Sequence, residues 1–205
     1  MTGGRGGLES AFSPSPRLPV PPSVSETKGI RFAEDRLTAE MDLWLLRHAV
    51  AEDRAASGRD EDRELTPEGA RRAKSVARGL VALDPVIDLV ITSPYRRARQ
   101  TADPVVEALG LGKNFRESAA LEPSTDPEEI LKEVETEEER KGILLVGHQP
   151  HLGALLGRLV GGNRGPEIPL KKAAVARVEL SGRGRGQLRA LLPAPVLERI
   201  GHSKD

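Results

Sequence analysis

The sequence predicts an α/β fold, a three-layer sandwich on a mainly parallel sheet, and three observations carry that reading. Strand and helix signals alternate from Met41 onward. The strand signals are short apolar runs, as expected of strands buried on both faces. Several helix signals open with a capping residue followed by proline, whose missing N–H costs nothing in a first turn. Such alternation implies helices covering both faces of parallel strands.

Asp42–Leu46 is the first strand. Thr66-Pro67-Glu68 starts a helix that runs to about Leu83, with Ala70, Ala73, Val76, Ala77 and Leu80 on one face. Val86–Thr92 is the second buried strand, and Ser93-Pro94 opens a helix to about Leu109. Asp126-Pro127-Glu128-Glu129 starts a third helix with the spacing of a capping box. Gly142–Val146 is the third strand and Pro150–Val160 the fourth helix. Ala174–Leu180 and Gln187–Leu192 read as a closing hairpin around Gly182–Gly186.

Residues 1–40 differ from the rest. Gly, Pro and Ser fill 15 of those 40 positions, and such a segment buries too little apolar surface to offset its ordering entropy. A disordered N-terminal extension over 1–40 and one domain over 41–200 are expected. Two origins of the extension stay open: a true flexible tail, or a chain whose start is Met41. A chain of 205 residues suits one domain with a real core. Lys+Arg and Asp+Glu both number 31, so no net field favours nucleic acid or an anionic membrane. The lack of Cys excludes disulfides, Cys-zinc sites and thiol chemistry. No apolar run approaches the roughly 18 residues of a membrane span, and no apolar signal core is present. A cytoplasmic protein is expected.

In parallel sheets, ligands gather beyond the carboxyl ends of the strands. The first strand ends in Arg47-His48, the second in Thr92-Ser93-Pro94 with Arg96 and Arg97 just beyond, and the third in Gly147-His148-Gln149-Pro150. If these strands are parallel, two His and at least two Arg meet on one edge. Arg presents a fork of donors that matches phosphate oxygens. A neutral imidazole can attack phosphorus in line, and nearby cations oppose its protonation.

Each residue alone has a plainer reading. A histidine after a strand is more often a structural hydrogen-bonding residue. His148 and His151 could pair on a metal, but no Cys or obvious carboxylate completes a set, so no metal or cofactor is expected. Arg96, Arg97 and Arg99 also suit a solvated helix face. Of the 31 basic residues 23 are Arg, so a functional Arg must be argued by position. The specific signal is the order: Arg-His, then Ser-Pro-x-x-Arg, then Gly-His-x-Pro, each at a strand end.

With those segments the sequence resembles the histidine phosphatase superfamily, and within it the SixA-type phosphohistidine phosphatases. The carrying segments are Leu43–Ala49, Arg63–Gly69, Thr92–Ala102 and Leu145–Leu152, with weaker matches through Lys172–Arg177 and the hairpin. The resemblance implies a phosphoglycerate mutase-like fold with a minimal cap, and a phosphatase. It implies His48 as the phosphorylated nucleophile and Arg47 and Arg97 as holders of the phosphoryl oxygens. His148 would complete the pocket, and Arg63 would be a further substrate-binding residue. The superfamily's usual Arg-His-Gly is Arg-His-Ala here, which adds one methyl at Ala49.

The leaving group then separates substrates. An alkoxide needs a proton from a positioned acid, whereas imidazole, with a conjugate-acid pKa of about 6.5, needs less help. The span from Gly110 to Lys141 is short for a lid, and Glu122, Glu52 and Asp53 are the candidate acids. The expected substrate is phosphohistidine on a protein. The alternatives are a small phosphate ester cleaved by the same chemistry, or phospho-binding without catalysis.

Overall fold

β1 (Met41–Arg47) sends its side chains into two separate cores. Leu43 and Leu45 belong to one buried cluster, and Trp44 and Leu46 to the other. A central strand with period-two side chains must do this when helices cover both faces. The computed structural model describes residues 1–3, 41–137, 139–181 and 185–202. From residue 4 on, the expected disordered extension falls outside the described residues, as do positions 182–184 of the hairpin turn.

The sheet has six strands in the order β3-β2-β4-β1-β5-β6. These are β2 (Leu89–Thr92), β3 (Phe115–Glu117), β4 (Gly142–Gly147), β5 (Val175–Leu180) and β6 (Gly186–Leu192). β3, β2, β4 and β1 run parallel, β5 runs antiparallel to β1, and β6 antiparallel to β5. α1 (Pro67–Ala82), α2 (Arg96–Leu109) and α5 (Ala194–His202) bury Val76, Leu80, Val105 and Leu197 in the Trp44 cluster. α3 (Pro127–Glu135) and α4 (His151–Gly161) bury Ile130, Val134, Leu152 and Leu155 in the Leu43 cluster. The fold is the expected three-layer sandwich.

Two of the three predicted caps hold, one of them without its capping-box partner. Thr66 Oγ1 accepts from Gly69 N at 3.0 Å, and Asp126 Oδ1 from Glu128 N at 2.9 Å. Glu129 does not return the second bond of a capping box; its carboxylate pairs with Lys132 instead. α2 begins at Arg96, with Tyr95 as its cap residue, and not at Ser93-Pro94. The Ser93 hydroxyl lies 2.8 Å from His148 Nε2 and does not cap the helix. β2 begins at Leu89, because Val86 is an exposed residue of the preceding loop.

Two elements carried no usable pattern. β3 is three residues with two half-buried positions, too short to show alternation. α5 owes its place to tertiary contact: a side chain at Gly79 of α1 would collide with the Leu197 carbonyl, so glycine permits the close approach. The span between α2 and β4 holds β3, a 3-10 turn at Ala119–Leu121 and α3. β3 pairs with β2 and α3 packs on α4, so these elements are used in covering the sheet. Among the described residues, no helix is long and apolar enough to cross a membrane.

Candidate active site

Register brings the strand ends together. Arg47 pairs with Gly147 across β1 and β4, and Thr92 with Val146 across β2 and β4. Two backbone bonds continue the ladder past the strands: His48 N donates to Gly147 O, and Ser93 N to Val146 O, both at 2.9 Å. Arg47-His48, Ser93 and His148 therefore sit side by side on one edge.

The loop after β1 is fixed from three directions. Ala49 N donates to Thr101 Oγ1 at 3.1 Å, and that hydroxyl donates to Arg97 O at 2.7 Å, tying the loop to α2. Ala173 N donates to the carbonyls of Arg47 and His48 at 3.1 and 3.3 Å. Ala173 does this at a φ of +58°, a left-handed conformation that L-residues adopt at a cost. Gly69 lets the first turn of α1 approach Val50, since a Cβ there would collide with the Val50 carbonyl.

His48 is buried, with Nδ1 2.7 Å from Ala49 O. A carbonyl can only accept, so Nδ1 carries the hydrogen, and in the neutral ring Nε2 holds the lone pair. Burial pushes the His48 pKa down to about 4. The bond to Ala49 opposes this, and the cations Arg97, Arg47 and Lys172 add to it. At neutral pH the ring is an uncharged base set among positive charges.

Both predicted arginines are anchored on one side. Arg47 Nη1 donates to Leu170 O at 2.8 Å, and its buried Nε has no partner within the protein. Arg97 donates through Nη1 to Asp60 O at 2.6 Å and through Nη2 to Asp60 Oδ2 at 2.8 Å, and its buried Nε is also unpartnered. Arg63 donates from Nη1 to Asp60 Oδ1 at 2.8 Å and from Nε to Glu52 O at 2.6 Å, so it meets Arg97 through a shared carboxylate. Arg96 is an exposed neighbour paired with Glu64, and Arg99 pairs with Glu117.

His148 lies with its ring centroid 5.1 Å from that of His48. Its Nε2 meets Ser93 Oγ, while Nδ1 is buried without a partner within the protein. Burial holds its pKa down at about 2, with the neighbouring His48 and Arg97 lowering it further. The Tyr95 ring packs edge-on to His148 at 5.1 Å and under the Arg97 guanidinium at 4.9 Å. Two donors without protein partners, Arg47 Nε and Arg97 Nε, and the unpartnered His148 Nδ1 thus accompany the lone pair of His48. That set is suited to a tetrahedral oxyanion under attack.

His151 is apart from this arrangement. It is buried at the start of α4 with neither ring nitrogen bonded, and burial lowers its pKa. Among the described residues, no group of three or more His, Asp or Glu could hold a metal ion. His48, His148 and His151 all titrate lower in the folded chain than the about 6.5 of an exposed histidine. The unfolded chain therefore binds more protons below that pH, and stability falls as pH drops from 6.5 toward 4. Each histidine adds to that fall in the same direction. Melting temperature is expected to fall through this window, and less so in His151→Leu, which removes one of the three. Equal pH slopes in the two proteins would refute the assignment for His151.

Asp60, Ser93, Tyr95 and Thr101 were not recognised as site residues from the sequence. Asp60 lies in an exposed acidic run, Asp60-Glu61-Asp62, with nothing local to distinguish it. The Ser93-Pro94 pair has the local pattern of a helix cap, which hides its role in the site. The spacing of Thr101 four residues after Arg97 is a signal only once a helix places both toward β1.

A model of the histidine phosphatase superfamily (branch 1) matches residues 43–122. An uncharacterised protein of Picosynechococcus is 37% identical over 137 residues, 66% of this chain and 82% of the relative. The phosphohistidine phosphatase SixA of Escherichia coli is 29% identical over 146 residues, 70% of this chain and 89% of SixA. A solved structure of the protein histidine phosphatase SixA complexed with tungstate aligns with a TM-score of 0.69 at 25% identity, covering 76% of this chain and 98% of that one. The alpha-ribazole phosphatase of Shigella flexneri shares the fold, with a TM-score of 0.60 at 20% identity over 75% of this chain and 97% of its own.

Proposed function

Because this chain belongs to the histidine phosphatase superfamily and is a SixA-type phosphatase, we propose that it hydrolyses phosphohistidine on a protein, with His48 as the nucleophile. The observation that carries this reading is the one-sided hydrogen bonding of His48. Nδ1 is committed to Ala49 O, so Nε2 is a lone pair in a pocket of cations.

In the proposed reaction Nε2 attacks phosphorus in line with the departing group. The phosphorus–nitrogen bond of the substrate breaks, its electron pair leaves with the substrate imidazole, and that ring takes a proton from water. The equatorial oxygens are held by Arg47 and Arg97, whose unpartnered Nε–H donors become satisfied as charge spreads over them, with His148 completing the pocket beside them. The phosphoryl group now resides on His48, whose Nδ1–H stays on the Ala49 carbonyl. Water then attacks phosphorus, returning the lone pair to Nε2 and releasing phosphate.

The substrate class follows from the acids present. Asp60 is bound by two guanidiniums and is held below the usual carboxylate range, so it has no proton to give at neutral pH. Glu52 and Asp53 are exposed, and Glu122 follows the 3-10 turn as its cap residue. A site of this kind favours groups that depart without protonation. SixA of Escherichia coli, a relative across nearly its full length, bears the name of a phosphohistidine phosphatase.

The test compares a phosphorylated histidine protein, an aryl phosphate and simple sugar phosphates. The first two are expected to be cleaved at least about 100-fold better in kcat/KM, the usual reach of a missing general acid. Glu52→Gln, Asp53→Asn and Glu122→Gln should each leave turnover of phosphohistidine within about twofold, since none supplies a proton. A hundredfold loss in one of them would identify an acid and favour the small-ester reading.

A further inference from the structure

We infer that Asp60 is a positioning residue: it clamps Arg97 through both its carbonyl and its carboxylate, and Arg63 holds that carboxylate in place. This rests on the proposed role of Arg97 as a holder of the phosphoryl oxygens.

The geometry is that of a relay. The Arg97 side chain is 5% exposed, and Nη1 and Nη2 both end on Asp60. A planar guanidinium bound at two atoms by one residue cannot rotate, so its Nε and remaining Nη hydrogens keep a fixed direction. Asp60 is itself 54% exposed and would otherwise sample several rotamers. Its second oxygen is held by Arg63, which is held in turn by Glu52 O, and Glu52 N donates to Glu64 O at 2.9 Å. The 3-10 turn that carries Asp60 is tied locally: Asp62 Oδ2 accepts from Ser57 Oγ at 2.7 Å and from Arg59 Nη2 at 2.7 Å. The carboxylate also places a negative charge against a site that must receive a dianion. It therefore weakens ground-state attraction while fixing orientation, and removing it separates binding from turnover.

The experiment measures kcat and KM on an aryl phosphate, inhibition by inorganic phosphate, and melting temperature. Asp60→Ala is expected to lose on the order of 10- to 100-fold in kcat, the scale of a misplaced catalytic group. Its inhibition constant for phosphate should be equal or lower. Asp60→Asn keeps an acceptor oxygen and should recover part of kcat. Glu61→Gln removes the same charge one residue away without touching Arg97, and should match the wild type in kcat. In this inference Arg63 acts through Asp60 and not on the substrate directly, as the resemblance implied, so adding Arg63→Met to Asp60→Ala should cost no more than about a further twofold. Four outcomes overturn the inference: wild-type kcat in Asp60→Ala; parallel loss of kcat, phosphate affinity and melting temperature; multiplying losses in the double variant; or a loss that grows with leaving-group pKa, which makes Asp60 a proton donor. Failure of the underlying reading looks different: Arg97→Ala would then turn over like the wild type.

Discussion

His48→Ala is expected to abolish phosphatase activity and the trapped phosphoenzyme while leaving the fold intact. In the proposed mechanism the nucleophile is the one group whose role no neighbour can assume, because the substrate's phosphorus must bond to it. His148 is the nearest other imidazole, but its Nε2 is engaged with Ser93 Oγ. The residual pocket would still bind phosphate through Arg47 and Arg97 without turning substrate over. A loss on the order of 10⁴-fold or more in kcat is therefore expected, as for other enzymes stripped of a nucleophile. The fold should survive because the ring makes one side-chain hydrogen bond, and its burial as a base is itself destabilising at low pH. At pH 5 the variant should melt no lower than the wild type. The checks are acid-labile phosphate on the intact enzyme after a brief pulse of substrate, and steady-state turnover. Full activity in His48→Ala would end the proposed mechanism.

Much of this site was legible because strand ends in a parallel sheet are geometrically equivalent. Arg47-His48, Ser93 with Arg97, and Gly147-His148 are separated by 45 to 55 positions, yet register alone brings them to one edge. Short continuous apolar runs exposed β1, β2 and β4, and cap-plus-proline pairs exposed α1 and α3. The losses have one physical cause, which is dependence on contacts distant in sequence. β3 exists because β2 offers it an edge, and α5 because Gly79 lets it approach. Asp60 was unreadable for the same reason: a carboxylate among carboxylates becomes part of the site only when Arg97 arrives from 37 residues away. Ser93 shows a conflict between levels. Its local pattern is a helix cap, but its hydroxyl faces His148 and the helix starts later.

Arg97→Ala should carry the second large effect. The guanidinium is buried, stacked over Tyr95 and oriented by Asp60, so it can act on a phosphoryl group without reorganising. Preorganised donors of this kind are worth about 10²–10³-fold in kcat. Truncation leaves no stranded charge, because Asp60 keeps Arg63 as a partner and stands half in solvent. The fold should therefore tolerate it. Arg97→Lys should recover little, since an ammonium cannot engage the Asp60 carbonyl and carboxylate together while presenting a third donor in the same plane. The substitution should also alter the pH profile. Arg97 is one of the charges that lower the His48 pKa, so its removal lets that pKa rise. Protonated His48 has no lone pair, and the acid limb of the variant should move to higher pH than that of the wild type measured on the same substrate. Removal of a merely structural residue would scale the profile without moving it. An unshifted acid limb together with wild-type turnover in Arg97→Ala would remove Arg97 from the site.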